Sequence, residues 1–235
     1  MDEETNKKLL KPNSDPVNVL IVRPFSRLVS TRLFLTSVTP NQVTVAALFS
    51  ALIAAGLIVW MDSLVGAILA AFFIQLYIVL DCADGELARL KSLKSNFGKW
   101  LDGIVDTVGT IVLLAAFAFR AFGEWGMVAV VIGFVSVLGF AVANFGFQYG
   151  QLVFGEKLFA FQDRAGEGEE KTLARSVISL FSIAKSFSPG VQVLILTLGA
   201  LLSIHFYALI VYGAWSNLVW LGRCVKYHRM RDKLG

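Results

Sequence analysis

The chain is organised around a run of spaced acidic and glycine residues, which reads DCADGELAR at residues 81–89 and continues with Gly98, Asp102 and Asp106. Asp81 and Asp84 are three residues apart, and the later three recur every four residues, so each set lies on one face of a helix. If two such helices pack side by side, four carboxylates converge. Apolar sequence flanks both sets, and clustered like charges there repel unless a cation lies between them. Ligation by oxygen alone favours a hard divalent ion such as Mg²⁺, Mn²⁺ or Ca²⁺.

The composition is that of a membrane protein. Of 235 residues, 56% are hydrophobic and 16% are charged, and the mean hydropathy is +0.69. The first 16 residues are polar and charged, which argues against a cleavable signal peptide. Two cysteines are too few for a disulfide framework, and the net charge of +4 is modest. We expect no nucleic-acid partner.

We expect four regions along the chain: a disordered cytosolic tail at 1–15, an amphipathic interfacial helix at 16–38, a six-helix membrane domain at 39–225 and a basic cytosolic tail at 226–235. Within the second region, apolar residues alternate with Arg23, Arg27 and Arg32. This pattern is typical of a helix that lies in the membrane interface.

The predicted fold is all-α and integral to the membrane, with six transmembrane helices. Apolar runs place these spans at 40–60, 63–90, 98–119, 126–150, 189–204 and 207–221. The polar stretch 151–175 reads as a loop that leads into an amphipathic segment at 172–187. Small residues on the fourth span predict close helix packing; they are Gly133, Ser136, Gly139, Ala143 and Gly146.

The basic residues predict the orientation. With six spans, 20 of the 21 Lys and Arg residues fall on one side of the membrane, and Arg120 falls on the other. Since cytoplasmic segments carry the excess of positive charge, both termini and the aspartates should face the cytoplasm. We expect a protein of the cell membrane.

Three classes of function fit intramembrane aspartates. They can hold a bundle together by pairing with nearby cations, for which Arg89, Lys94 and Lys99 are available. They can also translocate ions or protons, although transporters usually show internal repeats and sites near the midplane, which this sequence lacks. The third class is metal-assisted phosphoryl transfer, in which carboxylates hold divalent ions against a diphosphate.

Phosphoryl transfer accounts best for the residues between the aspartates. Gly85 removes a side chain where a phosphate must approach the backbone. Arg89 lies one helical turn later and can bind phosphate through its guanidinium fork. Asp106 lies one turn beyond Asp102 and is placed to accept a proton from an attacking hydroxyl.

The same residues resemble a known signature. The pattern Asp81-x2-Asp84-Gly85-x2-Ala88-Arg89-x8-Gly98-x3-Asp102-x3-Asp106 matches that of the CDP-alcohol phosphotransferases at every fixed position. The six spans, the amphipathic N-terminal helix and Pro40-Asn41-x2-Thr44 also resemble that family, so the resemblance covers residues from about 20 to 225.

The resemblance implies a reaction in which an acceptor hydroxyl attacks the β-phosphorus of a CDP-linked alcohol and CMP leaves. Asp81, Asp84 and Asp102 would hold one metal, and Asp81, Asp102 and Asp106 a second, as Mg²⁺ or Mn²⁺. Asp106 would also accept the proton. The residues expected at the CDP group are Asn41, Thr44, Gly85, Arg89 and Ser95, with Ala88 and Gly98 there for close packing. Each has an alternative role. Asn41 and Thr44 could merely cap the first span, and Ser95 could be an ordinary loop residue. Arg89 could extend its charged end to the membrane interface.

The substrates are less determined. We expect a CDP-diacylglycerol-type donor and a polar acceptor, in phospholipid synthesis; the alternative is CDP-inositol with inositol phosphate. Arg164, Arg175 and Arg223 are candidates to bind a phosphorylated acceptor, or they contact lipid headgroups instead. The resemblance and the small residues of the fourth span also predict a homodimer.

Overall fold

The computed structural model describes residues 18–164 and 188–234, and the ordered elements in those ranges are all helical. A π-helical turn, Asn18–Val22, leads into seven helices: α1 Arg23–Phe34, α2 Pro40–Trp60, α3 Leu64–Leu90, α4 Asn96–Trp125, α5 Met127–Arg164, α6 Pro189–Leu201 and α7 His205–Leu234. The predicted tail at 1–15 and the predicted amphipathic segment at 172–187 lie outside the described residues.

The all-α membrane fold is confirmed, with one span shorter than expected. Helices α2, α3, α4, α5 and α7 are long and apolar enough to cross a membrane. Helix α6 is apolar but has only 13 residues. It therefore extends about 20 Å, short of the roughly 30 Å of a bilayer's hydrocarbon.

Hydroxyl side chains define where the helices begin. Thr39 caps α2 in a reciprocal pair with Gln42, ahead of Pro40 at the first helical position. Ser63 and Ser95 cap α3 and α4 by accepting from the backbone N–H three residues on, without a reciprocal bond. Gly126, at φ +54°, reverses the chain between α4 and α5.

The prediction of a loop at 151–175 is wrong for its first part, because α5 continues as helix to Arg164. The sequence from 151 to 164 has no proline and keeps apolar residues among polar ones, so nothing in it ends a helix. The tail at 226–234 likewise continues α7. Polar composition led us to read 151–175 as a loop, but polar residues are compatible with helix outside the bilayer.

Four of the five small residues named for the fourth span pack inside the chain, and Gly146 does not. A Cβ at Gly133 would lie 2.4 Å from Cβ of Ala118 on α4, and one at Gly139 would lie 2.6 Å from Oγ of Ser216 on α7. Ser136 is fully buried and donates to the Leu209 carbonyl at 3.0 Å. Because this face is used within one protomer, it gives no support to a dimer, and the homodimer remains a prediction.

Helix α1 packs on α3 with its polar face inward. Phe25 and Leu28 are exposed on the outer side, as expected of a helix whose outer face meets lipid. Arg23, in contrast, is buried and pairs with Glu86 of α3 at 2.6 Å. Breaking a buried pair by removing one partner typically costs about 3–5 kcal/mol. Arg23 therefore anchors α1 to the bundle rather than to lipid headgroups.

Candidate active site

Three of the four aspartates meet where α3 ends and α4 begins. Asp81 of α3 faces Asp102 and Asp106 of α4, and each side chain offers an oxygen within 4.8 Å of the others. Only the short connection at 91–95 separates the two helices, so they run antiparallel with their motif faces together. The predicted convergence of carboxylates is therefore present for these three residues.

This cluster fits a divalent metal ion. All three carboxylates are half-buried, and Oδ1 of Asp81 is buried with no hydrogen-bond partner among the described residues. A buried carboxylate oxygen without a donor is costly unless a cation satisfies it. A donor set made of carboxylate oxygens suits Mg²⁺, Mn²⁺ or Ca²⁺. The cluster can thus hold such an ion, although its geometry does not distinguish among them.

Asp84 stands apart from the other three aspartates. Its side chain is buried, and its Oδ2 accepts a hydrogen bond of 2.5 Å from Oγ1 of Thr44 on α2. Thr44 Oγ1 also lies 3.1 Å from the Pro40 carbonyl oxygen. The structure places the predicted nucleotide residue Thr44 on a predicted metal ligand, which links the start of α2 to the motif helix. A metal shared by Asp81, Asp84 and Asp102 remains a prediction.

Asn41, Ser95 and Gly98 also meet at this end of the bundle. A Cβ at Gly98 would lie 3.1 Å from Oδ1 of Asn41 and 3.1 Å from Oγ of Ser95. Ser95 Oγ accepts from the Gly98 N–H at 2.9 Å, so Ser95 is the cap of α4 rather than an uncommitted loop residue. Glycine at position 98 is what allows the three residues to approach so closely.

Arg89 lies over Gly85. A Cβ at Gly85 would lie 3.5 Å from Nη1 of Arg89, so the guanidinium folds back by one helical turn toward the motif. Ala88, beside Arg89, is half-buried. The guanidinium is thereby brought back beside Gly85, the residue that directly follows Asp84.

Sequence reasoning missed Tyr77. Its hydroxyl oxygen lies 3.3 Å from the backbone carbonyl oxygen of Asp106 and 3.4 Å from Oδ1 of the same residue. A Cβ at Gly109 would lie 3.1 Å from that hydroxyl, so Gly109 makes room for the ring. Tyr77 precedes Asp81 by four residues and therefore shares its helical face, a signal that was available in the sequence.

The predicted acceptor residues are separated along the chain. Arg164 ends α5, and Arg175 lies outside the described residues. Arg223 of α7 donates to the Ala143 carbonyl of α5, and its guanidinium carbon lies 5.0 Å from the ring centroid of Phe147. These contacts give Arg223 a packing role between α5 and α7, and acceptor binding by it remains a prediction.

The fold and the site together define an all-helical membrane protein with a carboxylate cluster at one end of its bundle. Residues 37–205 match the family model for CDP-alcohol phosphatidyltransferases, and the chain belongs to this family of transferases. The sequence signature had predicted this membership.

Two curated relatives carry the same name. The bifunctional IPC transferase and DIPP synthase of Thermococcus kodakarensis is 30% identical over an alignment of 190 residues, which covers 77% of this chain and 41% of the relative. The protein of that name from Aquifex aeolicus is 34% identical over an alignment of 131 residues, which covers 52% of this chain and 28% of the relative. This chain therefore matches less than half the length of either relative.

Proposed function

We propose that this chain transfers a phosphoalcohol group from a CDP-alcohol to the hydroxyl of a polar acceptor and releases CMP. The observation that carries the proposal is the meeting of Asp81, Asp102 and Asp106 within 4.8 Å. Membership of the CDP-alcohol phosphatidyltransferase family supports the donor class.

The relatives favour a polyol substrate over a lipid donor. Both are named as DIPP synthases as well as IPC transferases, and neither name refers to a diacylglycerol donor. This chain matches only part of each relative. The family that it matches is named for a CDP-alcohol donor. We therefore prefer CDP-inositol as donor and inositol phosphate as acceptor, and CDP-diacylglycerol becomes the second candidate.

The proposed metal ligands are Asp81, Asp102 and Asp106, and Asp84 would join Asp81 and Asp102 in holding a second ion. Mg²⁺ or Mn²⁺ bound here would neutralise the donor diphosphate and stabilise the leaving oxygen of CMP. The half-buried carboxylates of α4 have room for such contacts, whereas Asp84 also accepts from Thr44.

In the proposed reaction, the acceptor hydroxyl oxygen forms a bond to the β-phosphorus of the donor. The bond from that phosphorus to the oxygen that leaves with CMP breaks. Asp106 takes the proton of the hydroxyl, and Tyr77 lies where it can hold the Asp106 carboxylate in position. Arg89 would bind a donor phosphate above Gly85.

The remaining assignments are also proposals. Asn41, Thr44, Ser95 and Gly98 lie together at the end of the bundle that carries the aspartates, which suits a pocket for cytidine. The distribution of Lys and Arg supports a cytoplasmic position for that end and for both termini. Membrane lipid is the expected surrounding of the exposed apolar side chains.

The test is CMP release by purified protein in mixed micelles with Mg²⁺ or Mn²⁺. A panel of donors (CDP-inositol, CDP-diacylglycerol, CDP-choline) is offered against inositol phosphate, glycerol phosphate and other acceptors, with Asp106→Asn as the inactive control. We expect the native protein to release CMP from CDP-inositol when inositol phosphate is present, and Asp106→Asn to release none. If no pair does so although metal binds, the catalytic proposal fails, and ion flux in liposomes becomes the next assay.

A further inference from the structure

A second buried polar cluster lies on the face of α3 that turns away from α4. Glu86 belongs to the quoted motif stretch but is fully buried against α1. Its Oε1 accepts from Nη1 of Arg23 at 2.6 Å and from Oγ of Ser26 at 3.0 Å, and its Oε2 accepts from Oγ of Ser30 at 2.9 Å. Both carboxylate oxygens are thus satisfied by α1.

These three donors hold α1 in one register. Arg23, Ser26 and Ser30 follow one another at intervals of three and four residues and therefore lie on one face of α1. The carboxylate has no access to water, so α1 cannot slide or rotate without leaving a charge buried and unpaired. Glu86 therefore fixes α1 against the helix that carries Asp81 and Asp84.

The connection between α1 and α2 is held by the same helix. Lys91, at the end of α3, donates from Nζ to the Thr36 carbonyl at 2.7 Å and to the Val38 carbonyl at 2.8 Å. Two backbone acceptors of one short connection are thereby tied to the end of the motif. The next residues along the chain are the cap of α2 and the predicted nucleotide residues.

The chain that precedes Asn41 and Thr44 is thus held at two points, at α1 by Glu86 and at the α1–α2 connection by Lys91. Thr44 must reach Asp84, and Asn41 must lie beside Gly98, for the donor pocket to form. We propose that Glu86 and Lys91 are positioning residues that fix Asn41 and Thr44 for recognition of the cytidine nucleotide. This inference rests on the proposed function, since it takes Asn41 and Thr44 to contact the donor. Neither Glu86 nor Lys91 is proposed to touch substrate.

The test compares Lys91→Met with Lys94→Met. Lys94 carries the same charge three residues on, but is exposed and is not among the residues that hold the connection. Calorimetric binding of CDP in the presence of Mg²⁺ is measured first, and then the KM and kcat for the donor. We expect Lys91→Met to weaken CDP binding and to raise the donor KM by about tenfold, with kcat changed less than about twofold at saturating donor. Lys94→Met should match the native protein.

Glu86→Gln provides an independent second variant. The amide keeps the shape of the carboxylate but removes the negative charge that pairs with Arg23 and replaces one acceptor oxygen by a donor, so the donor KM should again rise more than kcat falls. Lys91→Arg should restore native values, because its guanidinium can reach the same two carbonyls. An unchanged KM and unchanged CDP affinity in Lys91→Met would overturn the inference, as would a fall in kcat alone.

Failure of the proposed function would look different. If the native protein binds neither CDP nor CMP, the proposed donor site is wrong, and the positioning role is overturned with it. Native protein that binds CDP and turns over, together with Lys91→Met that does the same, would remove only the positioning role. If Glu86→Gln does not fold, Lys91→Met decides the matter alone, because Lys91 is only half-buried and its loss leaves no fully buried charge.

Discussion

The hydroxyl of Thr44 on α2 lies 2.5 Å from Oδ2 of Asp84 on α3, and both side chains are buried. The contact joins residues 40 positions apart and ties the start of the first span to the motif helix. A carboxylate in this position depends on its donor, since few other groups can replace a hydrogen bond at a buried site.

Thr44→Val removes that donor while keeping the shape of the side chain. We expect the free energy of unfolding in detergent to fall by about 1–3 kcal/mol, because Asp84 is left without this partner. The donor KM should rise as well. Thr44→Ser, which keeps the hydroxyl, is the matched control and should stay near native. Thermal unfolding and donor kinetics check both results, and equal behaviour of Val and Ser would contradict the assigned role.

Tyr77→Phe removes only the hydroxyl beside Asp106. If the phenol holds the carboxylate that accepts the proton, kcat should fall by about three- to tenfold while the donor KM stays nearly constant. Gly109→Ala should act in the same direction, because its Cβ would press on the tyrosine ring.

The control for this pair is Tyr207→Phe. Tyr207 is exposed on α7 and contacts Trp125 near the turn that joins α4 to α5, far along the helices from the aspartates. Its kinetics should be native. A Tyr77→Phe enzyme with unchanged kcat would show that the contact with Asp106 has no part in the reaction.

Asp102→Asn removes one carboxylate from the cluster of three. Mn²⁺ titration followed by electron paramagnetic resonance should show affinity at least about tenfold weaker, since even loss of an outer-shell partner can cost that much. Asp62→Asn is the matched control. Asp62 lies in the connection between α2 and α3, at the opposite end of the bundle, and pairs with Arg120 of α4. Native Mn²⁺ binding by Asp102→Asn would place the metal elsewhere.

The orientation can be measured with cysteine labelling. Cys82 and Cys224 are free thiols and are first replaced by serine or alanine. An impermeant maleimide applied to cells should then reach Asp62→Cys from outside, whereas Lys94→Cys should react only after the membrane is opened. Labelling of Lys94→Cys in intact cells would reverse the proposed topology.

Much of the site could be predicted from local sequence. Spacings of three and four residues place Asp81 with Asp84, and Asp102 with Asp106, on helical faces whatever the tertiary structure. The apolar lengths predicted the first span at its observed limits, Pro40–Trp60. These features depend on helix geometry and on the thickness of a bilayer, and both are read directly from residue order.

The tertiary structure decided how those faces meet. Asp81 joins Asp102 and Asp106, while Asp84 turns to Thr44, and this division depends on the rotation of α3 between α2 and α4. The burial of Glu86 under α1 depends in the same way on a contact across 63 residues. A repeating pattern along one helix states which residues share a face, but it does not state which neighbour that face will touch. Packing of small residues such as Ala47 and Ala51, which are fully buried in α2, settles that choice, because it determines how closely each pair of helices can approach.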